Sequence, residues 1–284
     1  MNINVNISEE KKARGEEILK AAPSDSTRVD STRVKLNIPE VPFQVNEAIN
    51  TLRGNIQLSG YDIKVVCVTS ALKHEGKSSL SFRLAKSFAA LGRRTLYLDC
   101  DIRNSQTLAR YGVRKHRKGL SEYLCGNAKL EDIILKTSEP YLEVIFTGAV
   151  APNPSELFSG ELFSTMLKTV RRKFDYVIVD TPPVNAVIDG VLIAKQCDGT
   201  VLVVESGVSE RKQSQRAKQQ LEYAGVKILG AVLNKLGHGK GGYGYGYGYG
   251  YGYGYGYGYG YGYGYGEEKK TGRKKKSTKP KKKK

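Results

Sequence analysis

The stretch V-V-C-V-T-S-A-L-K-H-E-G-K-S-S, residues 65–79, decides the fold. Val65, Val66, Cys67 and Val68 form a short apolar, β-branched run that predicts a buried strand. A polar loop follows and ends in Gly76-Lys77-Ser78, after which Ser79 to Leu91 reads as a helix. Strand, loop, G-K-S and helix are the layout of a phosphate-binding P-loop. Backbone N–H groups of a loop entering a helix bind phosphate oxygens. Gly76 permits close approach of the backbone, Lys77 reaches the β- and γ-phosphates, and the Ser78 hydroxyl is a ligand for Mg²⁺. The usual pattern G-x-x-x-x-G-K-[ST] has a first glycine where this chain has Ala71. The motif therefore needs support from the rest of the chain.

That support comes from two downstream strands. The segment T-L-Y-L-D-C-D-I-R, 95–103, is a strand with Asp99 and Asp101 at its C-terminal end. In α/β sheets ligands gather at the carboxyl ends of parallel strands. The segment F-D-Y-V-I-V-D-T-P-P, 174–183, is a buried strand that ends in Asp180 and is stopped by two prolines. An apolar run closing on a carboxylate is suited to organising Mg²⁺ and its water shell. Further apolar strands read at 142–146, 199–204 and 228–233, the last leading to Asn234. Helices read at 46–58, 155–172 and 211–223, and a turn with helix at 119–135. Alternating Val/Ile-rich strands and helices predict an α/β fold of the P-loop NTPase type, a mostly parallel sheet with helices on both faces.

The ends of the chain differ from this core. Residues 1–43 are polar, carry the tandem repeat D-S-T-R-V (25–29 and 30–34), and are expected to be a flexible arm. The folded domain is expected over 44–236, a Tyr-Gly tail over 237–266, and a disordered polybasic terminus over 267–284. The formal charge is +18, and the terminus alone sets eleven Lys/Arg against Glu267 and Glu268, a net +9. Half of the basic excess is thus a property of 18 residues, which does not mark the core as nucleic-acid binding. The four cysteines stand apart with no C-x-x-C pair, as expected of reduced thiols in a cytoplasmic protein. No apolar run reaches the 18 residues that a membrane span requires, and no signal peptide is visible.

Residues 243–266 are twelve Tyr-Gly dipeptides: Tyr243, Tyr245, Tyr247, Tyr249, Tyr251, Tyr253, Tyr255, Tyr257, Tyr259, Tyr261, Tyr263 and Tyr265. Alternate glycines maximise the backbone entropy lost on ordering, so a fixed conformation is not expected. A flexible tail of this length has a reach of roughly 30 Å. Phenols on such a tail, joined to a nucleotide site, suggest a substrate array for that site.

These motifs resemble the bacterial tyrosine kinases (BY-kinases) of capsule or exopolysaccharide synthesis, in the split form whose membrane activator is a separate protein. The resemblance covers about 44–266 and rests on T-S-A-L-K-H-E-G-K-S (69–78), L-Y-L-D-C-D-I-R (96–103), G-L-S-E-Y-L (119–124), P-N-P-S-E-L (152–157), V-I-V-D-T-P-P (177–183), L-G-A-V-L-N-K (229–235) and the tyrosine tail. It implies autophosphorylation of the tail tyrosines with ATP and Mg²⁺. It places Lys73, His74, Glu75, Gly76, Lys77, Ser78 and Ser79 around the phosphates, with Asn234 toward the adenine. Lys77, Asp99, Asp101 and Asp180 become the catalytic set: Ser78, Asp101 and Asp180 serve the metal, and Asp99 is the base for the phenol. It implies a polysaccharide-copolymerase-type activator as partner, recruitment to the inner face of the membrane, and a homo-oligomeric ring. The ring motif E-x-x-R-x-x-R appears as Glu47-x-x-Asn50-x-x-Arg53, which lacks the middle bidentate donor. Lys73 stands where the family often has proline. The basic terminus adds possible contact with anionic lipid. The competing class is a partitioning or septum-positioning ATPase, which would carry a lysine at the position of Leu72 and no tyrosine array. A nucleic-acid-binding module has only the basic tail in its favour.

Overall fold

A computed structural model describes residues 33–113 and 118–236. The expectations for residues 1–32 and for the tail from 237 onward lie outside the described residues.

Strand β1 (Val65–Ser70) lies inside a seven-stranded sheet of order β3-β4-β2-β5-β1-β6-β7. The others are β2 (Thr95–Asp99), β3 (Leu135–Lys136), β4 (Leu142–Ile145), β5 (Tyr176–Asp180), β6 (Gly199–Glu205) and β7 (Ile228–Asn234). Every pairing is parallel except the short edge pair β3–β4. Every residue of β1 and β2 is buried, because helices cover both faces; this is why these strands read as unbroken apolar runs.

The alternation of side chains along β1 divides the core. Val66 and Val68 pack with α1 (Phe43–Leu58) and α2 (Lys77–Ala89), through Ile49, Ile56, Phe82, Leu84 and Phe88. Val65 points to the opposite layer, where Phe163, Met166 and Val170 of α7 (Glu161–Lys173) pack on Val177 and Val179. Cys67 meets Ala217 and Leu221 of α9 (Arg211–Tyr223). The shorter helices are α3 (Thr107–Arg110), α4 (Leu120–Leu124), α5 (Leu130–Ile133), α6 (Pro154–Ser159) and α8 (Asp189–Ala194).

Five details depart from the sequence expectations. Helix α2 begins at Lys77, two residues before Ser79, because Gly76 takes a left-handed conformation (φ 92°) and starts the helix directly. The helix expected over 155–172 is two helices: Gly160 is extended (ψ 160°) and separates α6 from α7. The segment 119–135 divides into α4, α5 and the start of β3, and α8 was not expected at all. The arm also ends earlier than 43. Val34 N–H donates to Lys136 O (2.8 Å), Asn37 N–H to Tyr111 O (2.9 Å), and Leu36 joins the α1–α2 core with 7% exposure. Leu36, with Val34 and Ile38 packed against the same core and backbone bonds on either side, holds this segment on the domain.

Leu36→Ala should therefore cost about 2–4 kcal/mol, as for a buried leucine. Urea unfolding of the full chain measures it; a change of a few tenths would mean that these residues do not form part of the core.

Candidate active site

The sheet brings its functional side chains to one edge. β2 and β5 are parallel neighbours in register, so Asp99 and Asp180 are direct Cα partners at the strand ends. The loop after β1 and the N-terminus of α2 lie at the same edge. Together with the ends of β5 and β7 they enclose a pocket of ≈ 580 Å³. Its walls fall into three groups. The loop and helix contribute Lys73, His74, Gly76, Lys77, Ser78 and Ser79; the segment after β2 contributes Asp101, Arg103, Gln106 and Arg110; Pro182, Pro183 and Val187 close the third side. Asn234 and Lys235 complete it.

Lys77 and Asp101 meet here. Lys77 Nζ lies 3.4 Å from Asp101 Oδ2 and 3.5 Å from Ser78 Oγ, and the two charged side chains are 11% and 10% exposed. Asp101 Oδ1 accepts from Asn104 N–H (3.2 Å), which fixes the carboxylate on the pocket wall.

The two partnered aspartates lie deeper. Asp180 is fully buried; Oδ2 accepts from Tyr97 Oη (3.1 Å), and Oδ1 is buried with no hydrogen-bond partner among the described residues. Burial pushes the Asp180 carboxyl above the ordinary carboxylate range, and the Lys77 ammonium opposes the rise. Asp99 is also fully buried. Oδ1 accepts from Asp101 N–H (3.2 Å) and Oδ2 from Ser105 Oγ–H (2.5 Å). Burial, and then the charge of Asp180, push the Asp99 carboxyl up to about 7. Neither Asp99, expected as the base, nor Asp180, expected at the metal, lines the pocket directly; both lie behind it, and Asp101 occupies the wall. A pair of adjacent buried carboxylates cannot readily hold two charges, so each holds a proton more readily than an ordinary carboxyl.

Glu75 is a second case of a residue turned away from the pocket. Its side chain is 2% exposed and accepts from Leu72 N–H (2.7 Å) and from the Ser209 hydroxyl. It braces the loop from behind. Asn234 Nδ2 donates to Glu75 O (2.9 Å) and Lys235 Nζ to His74 O (2.7 Å). His74 (φ 67°) and Gly76 (φ 92°) both take left-handed conformations in this loop, and a Cβ at residue 76 would collide with the Asn234 amide. Only glycine fits there, whatever the nucleotide requires. The loop thus depends on Ser209, just after β6, and on Asn234 and Lys235 at the end of β7.

Sequence reasoning missed Tyr97, Ser105, Ser209, Arg103 and Asp189. Tyr97 had a signal: it is the one aromatic in β2 and lies two residues before Asp99, so the two share a face. Asp189 is 1% exposed and binds Arg103 through both oxygens, Nε at 2.6 Å and Nη2 at 3.3 Å. Glu47 and Arg53, expected at an interface, take part within the chain in a local network through Asn50. Glu47 Oε1 accepts from Asn50 Nδ2 (3.0 Å), and Arg53 Nη1 donates to Ser87 O (2.9 Å), Ser87 Oγ (2.6 Å) and Asn50 Oδ1 (3.1 Å).

Comparison with known proteins fits this architecture. Residues 63–207 match the AAA domain family, which covers the loop and both aspartate strands. The chain is 43% identical to the tyrosine-protein kinase CpsD of Streptococcus agalactiae over 193 residues, 68% of this chain and 84% of that protein. It is 35% identical to the tyrosine-protein kinase YwqD of Bacillus subtilis over 191 residues, 66% of this chain and 80% of the relative. The chain belongs to the bacterial tyrosine-protein kinase family. Its fold superimposes on the kinase domain of the Escherichia coli tyrosine kinase ETK with a TM-score of 0.65 and 32% identity, covering 74% of this chain and 87% of that one. The septum site-determining protein MinD of Pyrococcus horikoshii, solved with Mg-ADP, shares the fold alone (22% identity, TM-score 0.54). A kinase of this family with a P-loop fold binds nucleotide, and the pocket is where its loop opens.

The Asp99 carboxyl gives a pH test. Its value is near 4 in the unfolded chain and about 7 in the folded one. Between these limits the folded protein holds a proton that the unfolded chain has lost. Stability from this group is complete below pH 4 and falls as pH rises to about 7, by at most about 1.4 kcal/mol per pH unit. Denaturant unfolding from pH 4 to 8 should show a shallower decline in Asp99→Asn than in the native sequence. Parallel slopes would mean that Asp99 is ionised throughout.

Proposed function

We propose that the chain is an ATP- and Mg²⁺-dependent protein-tyrosine autokinase. Its acceptors are Tyr243 to Tyr265, and its role is to regulate capsular or extracellular polysaccharide synthesis. The observation that carries this reading is the convergence of Lys77, Ser78 and Asp101 at one pocket, with Asp180 buried within the electrostatic influence of Lys77, in a chain with twelve regularly spaced tyrosines.

In this reaction the phenol oxygen forms a bond to the γ-phosphorus. The bond from that phosphorus to the β-phosphate bridging oxygen breaks, and ADP leaves with the electron pair. Phenol has a pKa near 10, so its proton needs an acceptor in reach. Asp101 is that acceptor, since it is the carboxylate on the wall. Lys77 holds the phosphates and offsets the charge that develops on the equatorial oxygens. The N-terminus of α2, opened by Gly76, presents backbone N–H groups to the same anion. The residues present fit a divalent cation: Ser78 supplies a hydroxyl, and Asp180 has a buried oxygen that lacks a protein donor and suits a water of the metal's shell. Mg²⁺ when bound would neutralise the phosphates and hold them in line. Asp99 keeps Asp101 N–H and Ser105 in place and does no proton transfer. Asn234 holds the loop closed through Glu75 O, which is compatible with a place beside the base.

The partner is the cytoplasmic segment of a membrane activator, which brings the chain to the inner face of the membrane. Among the described residues no helix is long and apolar enough to cross a membrane. Assembly into a ring requires a neighbour to compete with Ser87 and Asn50 for Arg53, so it depends on the activator more than an Arg-rich motif would. The basic terminus, +9 over residues 267–284, binds anionic lipid while the tail is unmodified. Each phosphotyrosine adds about −1.5 to −2 and reverses that attraction.

Incubation with ATP and Mg²⁺, with and without an activator fragment, followed by phosphosite mapping tests the reading. Phosphate should appear on Tyr243–Tyr265 and fall by about 10²-fold or more in Lys77→Met. ATP hydrolysis with every tyrosine unmodified, activator included, would make the chain an ATPase regulator. Separately, deletion of 267–284 should reduce sedimentation with anionic vesicles at low salt; equal sedimentation would remove lipid as a partner.

A further inference from the structure

The pocket has one wall that the nucleotide reading leaves without a task. Arg103 and Arg110 both line it, across from the apolar surface of Pro182, Pro183 and Val187. Arg103 is anchored from behind: the buried Asp189 takes Nε and Nη2, and Ser155 Oγ lies 3.2 Å from Nη2. Nη1 takes part in none of these bonds. A guanidinium fixed in this way presents its remaining edge at small entropic cost. Arg110 closes α3, is exposed, and has no carboxylate within ion-pair distance among the described residues. By contrast Lys77 is paired with Asp101, and Lys235 with Glu205. Arg103 is ion-paired with Asp189, so of this wall's two guanidinium groups Arg110 alone holds a charge that no carboxylate of the described residues neutralises.

The acceptor array has a matching regularity. In an extended strand residues i and i+2 point to the same side, about 7 Å apart. Strict Tyr-Gly alternation puts every phenol on one face of such a strand. When one tyrosine sits at Asp101, the next lies about 7 Å away on the same face. If that neighbour already carries phosphate, it brings about −1.5 to −2 of charge toward a pocket that also receives triphosphate. Without a counter-charge, each transfer would hinder the next. Guanidinium groups are the side chains best matched to phosphate oxygens.

We propose that Arg103 and Arg110 form a phosphotyrosine subsite. It holds a modified residue two positions from the acceptor, so phosphorylation favours Tyr-Gly strands that are already begun. The inference rests on the kinase reading for its consequence, but binding at the wall can be measured apart from it.

Two peptides of sequence G-Y-G-Y-G, one with phosphate on the first tyrosine, would be compared as substrates of the full chain with activator, ATP and Mg²⁺. In parallel, fluorescence anisotropy would measure binding of each labelled peptide to the ADP-Mg²⁺-loaded chain. The primed peptide should be favoured by about tenfold in kcat/KM and in affinity, the low end for charge-assisted hydrogen bonds. That ratio should fall to near one in Arg110→Ala and be partly kept in Arg110→Lys. Because it compares two peptides on one protein, a general loss of activity cannot imitate it. Phosphorylation of both peptides without preference overturns the subsite and leaves the kinase reading intact. Arg110-dependent binding of the primed peptide with no phosphorylation of either supports the subsite and overturns the kinase reading. A preference unchanged in Arg110→Ala also overturns the assignment.

Discussion

The constraint on which this structure depends is the burial of two carboxylates side by side. Asp99 and Asp180 end neighbouring parallel strands in register, a strand spacing of about 4.8 Å apart. Neither reaches water. Two charges there would repel each other in a poorly solvated interior, so the fold surrounds the pair with donors. Tyr97 and Ser105 donate hydroxyls, the Asp101 amide donates its N–H, and the charge of the Lys77 ammonium favours ionised Asp180. These groups come from three parts of the chain: β2, the segment after it, and the helix that follows β1. Satisfying this pair therefore fixes the relative positions of the elements that make the pocket.

The sequence displayed the central strands clearly, because a strand buried on both faces must be apolar throughout. β1, β2 and β5 are such strands, and each ends in the polar group that marks the site. What was less legible depended on contacts distant in sequence. Glu75 reads as a phosphate-loop residue, yet the partner that turns its side chain away is Ser209, 134 residues later. Asp189 reads as an ordinary loop carboxylate until the fold sets Arg103 against it from 86 residues upstream. The split between α6 and α7 had a local cause in Gly160, but a single glycine in an otherwise periodic segment is ambiguous without the backbone. The arm was misjudged over its last ten residues for a similar reason. A low-complexity repeat tells little about the one leucine that follows it.

Arg53 shows how a single local change alters a motif. A second arginine, at position 50, would repel Arg53 along the helix. Asn50 instead accepts from Arg53 Nη1 and donates to Glu47, which completes a chain of bonds onto Ser87 of α2. Arg53 is thus engaged inside the domain through Nη1, while its Nε is buried without a hydrogen-bond partner among the described residues.

Lys77 links the buried pair to the reaction. Without nucleotide its ammonium has Asp101 as its nearest carboxylate, at 3.4 Å, with both groups largely shielded from water. An ion pair of this kind is weakly solvated, and each member needs a replacement if the other leaves. Triphosphate offers Lys77 a stronger anion, and the exchange frees Asp101 to face the acceptor phenol. In the proposed reaction the proton acceptor is thus released only when the phosphoryl donor is in place. The same exchange explains why the pocket wall carries Asp101 rather than Asp99. A carboxylate buried beside Asp180 is held by Asp101 N–H and Ser105, whereas one at the edge can change partners.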